Sequence, residues 1–291
     1  MKVLILGSAG MLGHKLYQVL TPMFDVIGTI RGAYSDISRF GLFQQSRIVP
    51  NVNALEISQV EQVIQETSPD VVVNGIGVVK SLEKSAGILF NIWLNSLFPH
   101  QLYQICQAKG IRLIHISTDC VFSGQKGNYQ ENDPSDAEDI YGKTKYLGEV
   151  NEASALTIRT SFIGRELAST NGLLEWFLSN RGGRVDGFSK AIFSGFPTLH
   201  LSRIIADTIM KHPDLSGLYH ISSAPISKFQ LLTLINKAMK LNIEVNEYPD
   251  YHCERSLDST RYRKKTGFTP PSWEKMVDEL AQDVGQYLKW R

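Results

Sequence analysis

The sequence has few of the residues that mark secreted or metal-dependent proteins. Among its 291 residues there are three cysteines, Cys106, Cys120 and Cys253, and no two of them form a C-x-x-C pair. An odd, widely spaced set predicts neither a disulfide framework nor a zinc site, and it favours a reducing compartment, here taken as the cytoplasm. The seven histidines contain no H-x-H or H-x-x-x-H pattern, so the sequence predicts no metal site.

An excess of one charge and long apolar segments are also missing. Thirty basic residues are balanced by twenty-nine acidic ones, which gives no reason to expect a nucleic-acid partner. No apolar run reaches the roughly 20 residues of a membrane span, so we expect no membrane partner. The apolar run Met1–Leu6 is too short for a signal peptide and ends in a glycine-rich loop, so we interpret it as a buried strand.

The first half of the chain alternates short apolar runs with amphipathic segments. Runs rich in Val and Ile, without polar alternation, are typical of strands that are buried on both faces. They cover Lys2–Gly7, Asp25–Ile30, Asp70–Asn74, Ile111–Ser117 and Leu156–Thr160. Alternation of such strands with helices predicts an α/β fold of the Rossmann type, in which a doubly wound parallel sheet has helices on both faces.

Helices are predicted between these strands and in the less regular second half. Ser58 and Glu61 have the spacing of a capping box that would begin one helix. A long apolar helix is predicted over Leu89–Cys106, with a kink or interruption at Pro99. Other patterns predict a helix after Gly10, a flexible connection at Gly182, Gly183 and Gly187, a strand at Gly217–Ser222, a helix at Phe229–Met239 and a final helix after Pro271.

A G-x-x-G-x-x-G loop lies between the first strand and the first helix. Glycine permits the tight turn and lets backbone N–H groups approach a pyrophosphate, which the positive end of the helix also attracts. The alternative is an ordinary glycine turn at a strand end, but the strand–loop–helix context favours a dinucleotide site. The expected cofactor-binding residues are Gly7, Ser8, Ala9, Gly10, Met11, Leu12 and Gly13.

The end of the second strand indicates which dinucleotide binds. An NAD site typically has an acidic residue there, about 20 residues after the glycine loop, to hold the ribose hydroxyls. In this chain Arg31 follows the strand and no acid occurs before Asp36. An arginine can pair with a 2′-phosphate, so we expect NADP(H) to be preferred, with NAD(H) still able to bind. The alternative is a solvated surface arginine.

A tyrosine and a lysine in the pattern Tyr-x-x-x-Lys are the candidate catalytic pair. Tyr141 and Lys145 would lie one helical turn apart on the same face. A neighbouring ammonium favours the phenolate, so the tyrosine could donate its proton to a ketone oxygen as hydride arrives. At the end of the preceding strand, Thr118 is the hydroxyl that we expect to bind the carbonyl, and Ser117 would point the other way. Alternatively, the two hydroxyls only cap the next turn.

Taken in order, these motifs resemble the extended short-chain dehydrogenases/reductases, and among them the dTDP-4-dehydrorhamnose reductase family of nucleotide-sugar 4-ketoreductases. The further segments that carry the resemblance are Pro69–Asn74, Ser117–Asp119, Gly148–Glu149, Arg159–Ser161, Gly195–Thr198 and Gly217–Ser222. The resemblance implies a catalytic triad of Thr118, Tyr141 and Lys145. It also implies an NADP-binding Rossmann domain over residues 1–164, with a return segment near 191–213, and a smaller, mainly substrate-binding region over 165–291.

The same resemblance extends the set of expected contacts. On the cofactor it adds Asn74, Gly75, Ile76 and Ser117 to Tyr141, Lys145, Arg31 and the glycine loop. On the substrate it implies Cys120, Val121, Phe122, Lys190 and Arg255. Two departures leave the sugar open. Cys120 stands where the family typically has tyrosine, and Phe188–Thr198 replaces the usual D-Q-x-G-x-P-T segment.

The resemblance implies an oxidoreductase that uses NADPH to reduce a nucleotide-linked 4-keto-6-deoxy sugar, in deoxysugar biosynthesis for a surface polysaccharide. A homodimer is an assembly that it allows. One alternative is a nucleotide-sugar epimerase or epimerase-reductase, because Cys120 resembles the cysteine of GDP-fucose synthase. That enzyme pairs its cysteine with a histidine, and this chain has no histidine between Thr160 and Phe196. The other alternative is a non-catalytic NADP-binding regulatory or sensor protein, which would not need the triad.

Overall fold

The computed structural model describes residues 1–287, except for the side chains of Ser81 and Glu83. Its strands are β1 (Lys2–Leu6), β2 (Asp25–Thr29), β3 (Ile48–Val49), β4 (Val71–Asn74), β5 (Arg112–Thr118), β6 (Ala155–Thr160), β7 (Phe162–Ile163), β8 (Arg184–Phe193), β9 (Phe196–Pro197), β10 (Gly217–His220), β11 (Ile226–Ser227) and β12 (Glu244–Glu254). Seven of them form one parallel sheet in the order β10-β6-β5-β4-β1-β2-β3. The predicted α/β fold with a doubly wound parallel sheet is confirmed.

Helices cover both faces of this sheet. They are α1 (Met11–Leu20), α2 (Ser35–Ser38), α3 (Ile57–Thr67), α4 (Glu83–Ala86), α5 (Ile88–Asn91), α6 (Phe98–Ala108), α7 (Ile140–Leu147), α8 (Leu173–Ser179), α9 (Thr198–Lys211), α10 (Lys228–Met239), α11 (Thr260–Thr266) and α12 (Trp273–Tyr287). Alternate side chains of β1 pack on opposite faces of the sheet, into two separate hydrophobic cores. Val3 and Ile5 pack into the core that includes α1, α9 and α12, whereas Leu4 and Leu6 pack into the core under α3 and α6. Burial on both faces explains why the strands read as continuous apolar runs.

Two of the helix predictions needed correction or refinement. The proposed capping box is wrong, because α3 begins at Ile57, Glu56 occupies the N-cap without a side-chain hydrogen bond, and Ser58 lies inside the helix. The interruption expected at Pro99 occurs just before it, as a π-helical segment over Ile92–Leu97 between α5 and α6. Proline cannot donate to the carbonyl four residues back, so a wider turn before it accommodates the missing bond.

A smaller sheet lies in the second half of the chain. In it β8 pairs antiparallel with β11 and parallel with β12. Gly187, which was expected in a flexible connection, lies inside β8, where an added Cβ would come within 2.9 Å of Phe229. Between β8 and β11 in the sequence, α9 returns to pack on α1, and β10 then becomes the edge strand of the large sheet.

Candidate active site

The glycine loop forms a tight turn at the carboxyl end of β1. Gly7 has a positive φ of 83°, and the backbone N–H of Gly10 donates to the Gly7 carbonyl at 3.0 Å. A Cβ on Gly13 would lie 2.1 Å from that carbonyl oxygen, and a Cβ on Gly10 would lie 3.2 Å from it. Side chains at Gly10 and Gly13 would therefore collide with the backbone of the loop. Helix α1 begins at Met11, directly after Gly10.

A cavity of about 670 Å³ opens over this loop and over the ends of β2 and β4. Its lining includes Gly7, Ala9, Gly10, Arg31, Gly75 and Ile76. A volume of this size is typical of cofactor sites, and the lining combines bare backbone with one exposed cation, Arg31. These features fit a dinucleotide, with the phosphates near the loop and Arg31 at the end of β2.

Some of the predicted cofactor residues support the cavity rather than face it. Ser8 is fully buried, its hydroxyl donates to the Ile5 carbonyl, and its N–H donates to the Thr29 carbonyl. Leu12 belongs to the large core. Asn74 is also fully buried, and its side-chain oxygen accepts from the Ile76 N–H at 3.0 Å. Asn74 therefore shapes the loop after β4, whose backbone lines the cavity.

The structure brings Thr118, Tyr141 and Lys145 together at the carboxyl end of β5. Helix α7 begins at Asp139, whose carboxylate accepts from the Gly142 N–H at 2.7 Å, and this cap sets Tyr141 and Lys145 one turn apart on the helix. The Tyr141 hydroxyl and the Thr118 hydroxyl are hydrogen-bonding partners. The Lys145 ammonium donates to the Ile116 carbonyl at 2.7 Å.

Burial changes the acidity of both members of the tyrosine–lysine pair. Desolvation raises the pKa of Tyr141 above its usual value, helped by the nearby Cys120 and opposed by the hydrogen bond with Thr118. The phenol is therefore neutral and can act as a proton donor. Desolvation lowers the pKa of Lys145 to about 8, against the Glu149 carboxylate, which raises it. A lysine with this pKa is still mostly an ammonium at neutral pH.

Ser117 and the Glu149–Arg159 ion pair form a buried polar group behind the triad. The Ser117 hydroxyl donates to Glu149 at 2.7 Å, so it is directed away from Thr118. Arg159 holds the same carboxylate with two bonds of 2.7 Å. The sequence analysis quoted Glu149 and Arg159 only as parts of motifs, and their spacing gave no signal that Glu149 would act on Lys145.

Two cations flank Cys120 on the side expected for substrate. Lys80 pairs with Asp139 at 2.5 Å, and Arg255 donates to the backbone carbonyls of Phe122 and Ser123. Both cations lie within electrostatic range of Cys120, yet burial and the neighbouring Asp119 raise the pKa of this thiol to about 12. The cysteine is thus a neutral thiol at neutral pH. Lys80 and Asp139 were not predicted, because no motif marks them and they meet only through folding.

The predicted substrate residues Val121, Phe122 and Lys190 comprise two buried side chains and one exposed lysine. Val121 and Phe122 are fully buried in a small core with Tyr129 and Leu257, and the Phe122 ring stacks on Tyr129 at 4.1 Å. Their side chains therefore support the loop after β5 and do not face a substrate. Lys190 is exposed on β8, opposite His252 of β12, and so lies on the smaller sheet.

Neither a cluster of metal-ligating side chains nor a helix suited to a membrane is found among the described residues. No group of three or more His, Cys, Asp or Glu side chains is arranged to hold a metal ion within this part of the chain. Over the same residues, no helix combines the length and the apolar character that crossing a bilayer requires.

Comparison with known proteins places the sequence among sugar-nucleotide enzymes. The family model described as RmlD substrate binding domain matches residues 1–286. The spore coat polysaccharide biosynthesis protein SpsK of Bacillus subtilis (strain 168) is 29% identical and is aligned over 97% of each chain. A probable dTDP-4,6-dihydroxy-2-methyloxan-3-one 4-ketoreductase of Streptomyces antibioticus is 28% identical, over 77% of this chain and 72% of its own.

The chain is also similar to a subunit of another enzyme, methionine adenosyltransferase, and to a solved reductase structure. The methionine adenosyltransferase 2 subunit beta of Xenopus laevis is 24% identical over 95% of this chain and 80% of its own. Among solved structures, a dTDP-4-dehydrorhamnose reductase of Bacillus anthracis str. Ames, in complex with NADP, superposes with a TM-score of 0.79. It is 22% identical, and the match covers 97% of this chain and 99% of that one.

Proposed function

The chain belongs to the RmlD substrate binding domain family, and on that premise we propose that it is an NADPH-dependent reductase of a nucleotide-linked 4-keto-6-deoxy sugar. The observation that carries the proposal is the meeting of Tyr141, Thr118 and Lys145 at the carboxyl end of β5, where a parallel sheet binds its ligands. The Streptomyces relative, which is named as a 4-ketoreductase of a dTDP-linked sugar, supports the substrate class.

The chemistry follows from the protonation states of the three side chains. When bound, NADPH supplies the hydride that reaches the ketone carbon. Tyr141 donates its phenolic proton to the ketone oxygen, because burial keeps the phenol neutral until that oxygen becomes basic. The Thr118 hydroxyl holds Tyr141 and the carbonyl in line, and the Lys145 ammonium lowers the cost of the phenolate that remains.

The cofactor is held by the residues that form the cavity over the glycine loop. Backbone N–H groups at Gly7–Gly10 and the start of α1 would bind the pyrophosphate. Arg31 would pair with the 2′-phosphate, which favours NADPH, while NADH retains every other contact. The NADP complex of the B. anthracis reductase supports this cofactor.

Three broader statements belong to the same proposal. We place the reaction in deoxysugar biosynthesis for a surface polysaccharide, in line with the name of the B. subtilis relative, and in the cytoplasm, in line with the free cysteines of the described chain. Residues 1–164 would bind the cofactor and 165–291 mainly the substrate. The return segment near 191–213 would extend to β10, because that strand is part of the large sheet.

A homodimer is proposed from an exposed apolar helix face. Leu89 is 77% exposed, and Ile88, Ile92 and Trp93 beside it are also exposed. Contiguous apolar surface of this kind is uncommon on monomers, so a second copy of the chain is the proposed partner.

A regulatory role is the second candidate, because the similarity to the methionine adenosyltransferase subunit extends over most of the chain. The experiment that separates the two adds NADPH and dTDP-4-keto-6-deoxyglucose and follows cofactor oxidation together with product mass. A reductase consumes one NADPH for each alcohol formed, and Tyr141→Phe lowers its turnover by about 100-fold while cofactor binding is kept. No consumption with any 4-keto sugar nucleotide, or full turnover by Tyr141→Phe, would contradict the proposal.

A further inference from the structure

A bulge in β12 brings two tyrosines against one phenylalanine of β8. Tyr248 is the register partner of Phe188, and His252 is the partner of Lys190, so three residues of β12 face one residue of β8 between them. The Tyr248 ring lies 5.6 Å from the Phe188 ring, and the Tyr251 ring lies 4.9 Å from it. The three rings form one aromatic cluster.

The bulge is the reason that both tyrosines lie on the same side. In a regular strand, residues three apart point to opposite faces of the sheet, so Tyr248 and Tyr251 would be separated. The irregular register re-aims Tyr251 toward Phe188, a use of bulges that is common next to active sites. The rings remain accessible after packing, with Tyr248 39% exposed and Tyr251 47% exposed.

The strand that carries the two tyrosines is anchored beside the loop that follows Thr118, because the Glu254 N–H donates to the Gly124 carbonyl at 2.7 Å and Arg255 donates to the Phe122 carbonyl at 2.7 Å. Cys120 follows Thr118 at the end of β5 and lies within electrostatic range of Lys80 and Arg255. Tyr251 lies within range of the same two cations. The aromatic cluster is therefore part of a strand whose carboxyl end borders the loop that carries Cys120.

These groups can bind the different parts of a nucleotide-linked sugar. The ketone belongs at the hydroxyls, and the diphosphate belongs near the cations. A planar, uncharged nucleobase belongs on the aromatic rings, where stacking is favourable for every base.

We propose that Phe188, Tyr248 and Tyr251 form the stacking platform for the nucleobase of the substrate. The proposal rests on the proposed function, because it takes the substrate to be a nucleotide-linked sugar. It adds that affinity for the nucleotide comes from β8 and β12, at a distance from the groups that perform the reduction. Base identity would then matter less than the presence of a base.

Binding of two probes, each measured by titration calorimetry on protein saturated with NADP⁺, tests the platform without turnover. The probes are dTDP, which has a base, and inorganic pyrophosphate, which has none. Tyr248→Ala and Tyr251→Ala should each weaken dTDP by about tenfold and leave pyrophosphate unchanged, whereas Tyr251→Phe should keep dTDP affinity, because the ring remains. Trp176→Ala, at an aromatic residue of α8 that is 42% exposed, is the matched control and should change neither probe.

The outcomes separate this proposal from the proposed function. Unchanged dTDP affinity in both alanine variants would overturn the platform, and so would an equal loss of dTDP and pyrophosphate or a wild-type protein that binds none of dTDP, UDP, GDP and CDP. If base-dependent binding requires the tyrosines but no 4-keto sugar nucleotide is reduced, the platform stands and the reductase function fails. If reduction proceeds and the KM for the sugar nucleotide is the same in both alanine variants, only the platform fails.

Discussion

The buried Lys145 ammonium predicts an activity that declines in mildly alkaline solution. Its pKa is about 8 because burial disfavours the charge, and in the proposed mechanism the charged form is the one that supports proton donation by Tyr141. With that pKa, about nine-tenths of the lysine is protonated at pH 7 and about one-tenth at pH 9. We therefore expect kcat/KM for NADPH, which reports the free enzyme, to fall about tenfold between these pH values.

A single substitution should move this pH profile in a known direction. The Glu149 carboxylate raises the pKa of Lys145, so Glu149→Gln should shift the decline to lower pH. The amide oxygen can still accept from Ser117 and from the Arg159 Nε–H, but the second Arg159 bond is lost, because the amide NH2 group is itself a donor. Glu152→Gln, at an exposed acid nearby, is the matched control and should leave the profile unchanged. The assay is the initial rate of NADPH oxidation from about pH 6 to about pH 10 at a fixed ketone concentration.

The contribution of Lys145 to the free energy of unfolding should become more favourable as the pH rises, whereas activity falls. Loss of activity at alkaline pH can therefore be distinguished from unfolding caused by Lys145. The folded pKa of Lys145 is below its ordinary value of 10.5, so the unfolded state binds more protons between about pH 8 and that value. The contribution of Lys145 to the free energy of unfolding is therefore unfavourable below about pH 8 and is relieved as the pH rises. Denaturant titrations of the wild type and Lys145→Met measure this difference. A flat activity profile, or a shift of Glu149→Gln to higher pH, would refute the reasoning.

Three further predictions concern the cofactor, the thiol and the fold. Arg31→Ala should weaken NADPH by about tenfold and leave NADH unchanged in binding titrations, and equal affinities in the wild type would contradict this. Cys120→Ser should retain most of the reduction, and the enzyme should put no deuterium beside the ketone in deuterated water, because the pKa of about 12 keeps the thiol neutral. Asp283→Ala should lower the free energy of unfolding by about 3–5 kcal/mol, because it leaves buried Lys15 without its 2.7 Å partner. The exposed pair of Asp207 and Lys211 gives the control, since Asp207→Ala should cost about 0.5 kcal/mol or less in the same denaturant titration.

The large sheet and its first loop could be predicted because their signals are local. A strand buried on both faces is mostly apolar, and the runs in β1 and β4 and the first half of β5 show this pattern. A tight glycine turn and the one-turn spacing of Tyr141 and Lys145 are likewise properties of adjacent residues. The resemblance to nucleotide-sugar reductases rested on the same local motifs, and the family match confirms it.

Side-chain direction after the strand ends could not be predicted in the same way. The sequence analysis assigned Val121 and Phe122 to the substrate, yet both are buried under Tyr129 and Leu257. Leu257 is distant in sequence, and nothing near Phe122 indicates that it would cover this loop.

Sequence by itself determined the fold class and predicted the dinucleotide loop and the tyrosine–lysine pair, because each depends on spacing along the chain. Only the tertiary structure decided which charged and aromatic groups surround these residues. It placed Glu149 where it affects Lys145, Lys80 beside Asp139, and the bulge of β12 where two tyrosines meet Phe188. Charge–charge interactions, desolvation and ring contacts depend on distance in space, and residues far apart in sequence come within that distance only when the chain has folded.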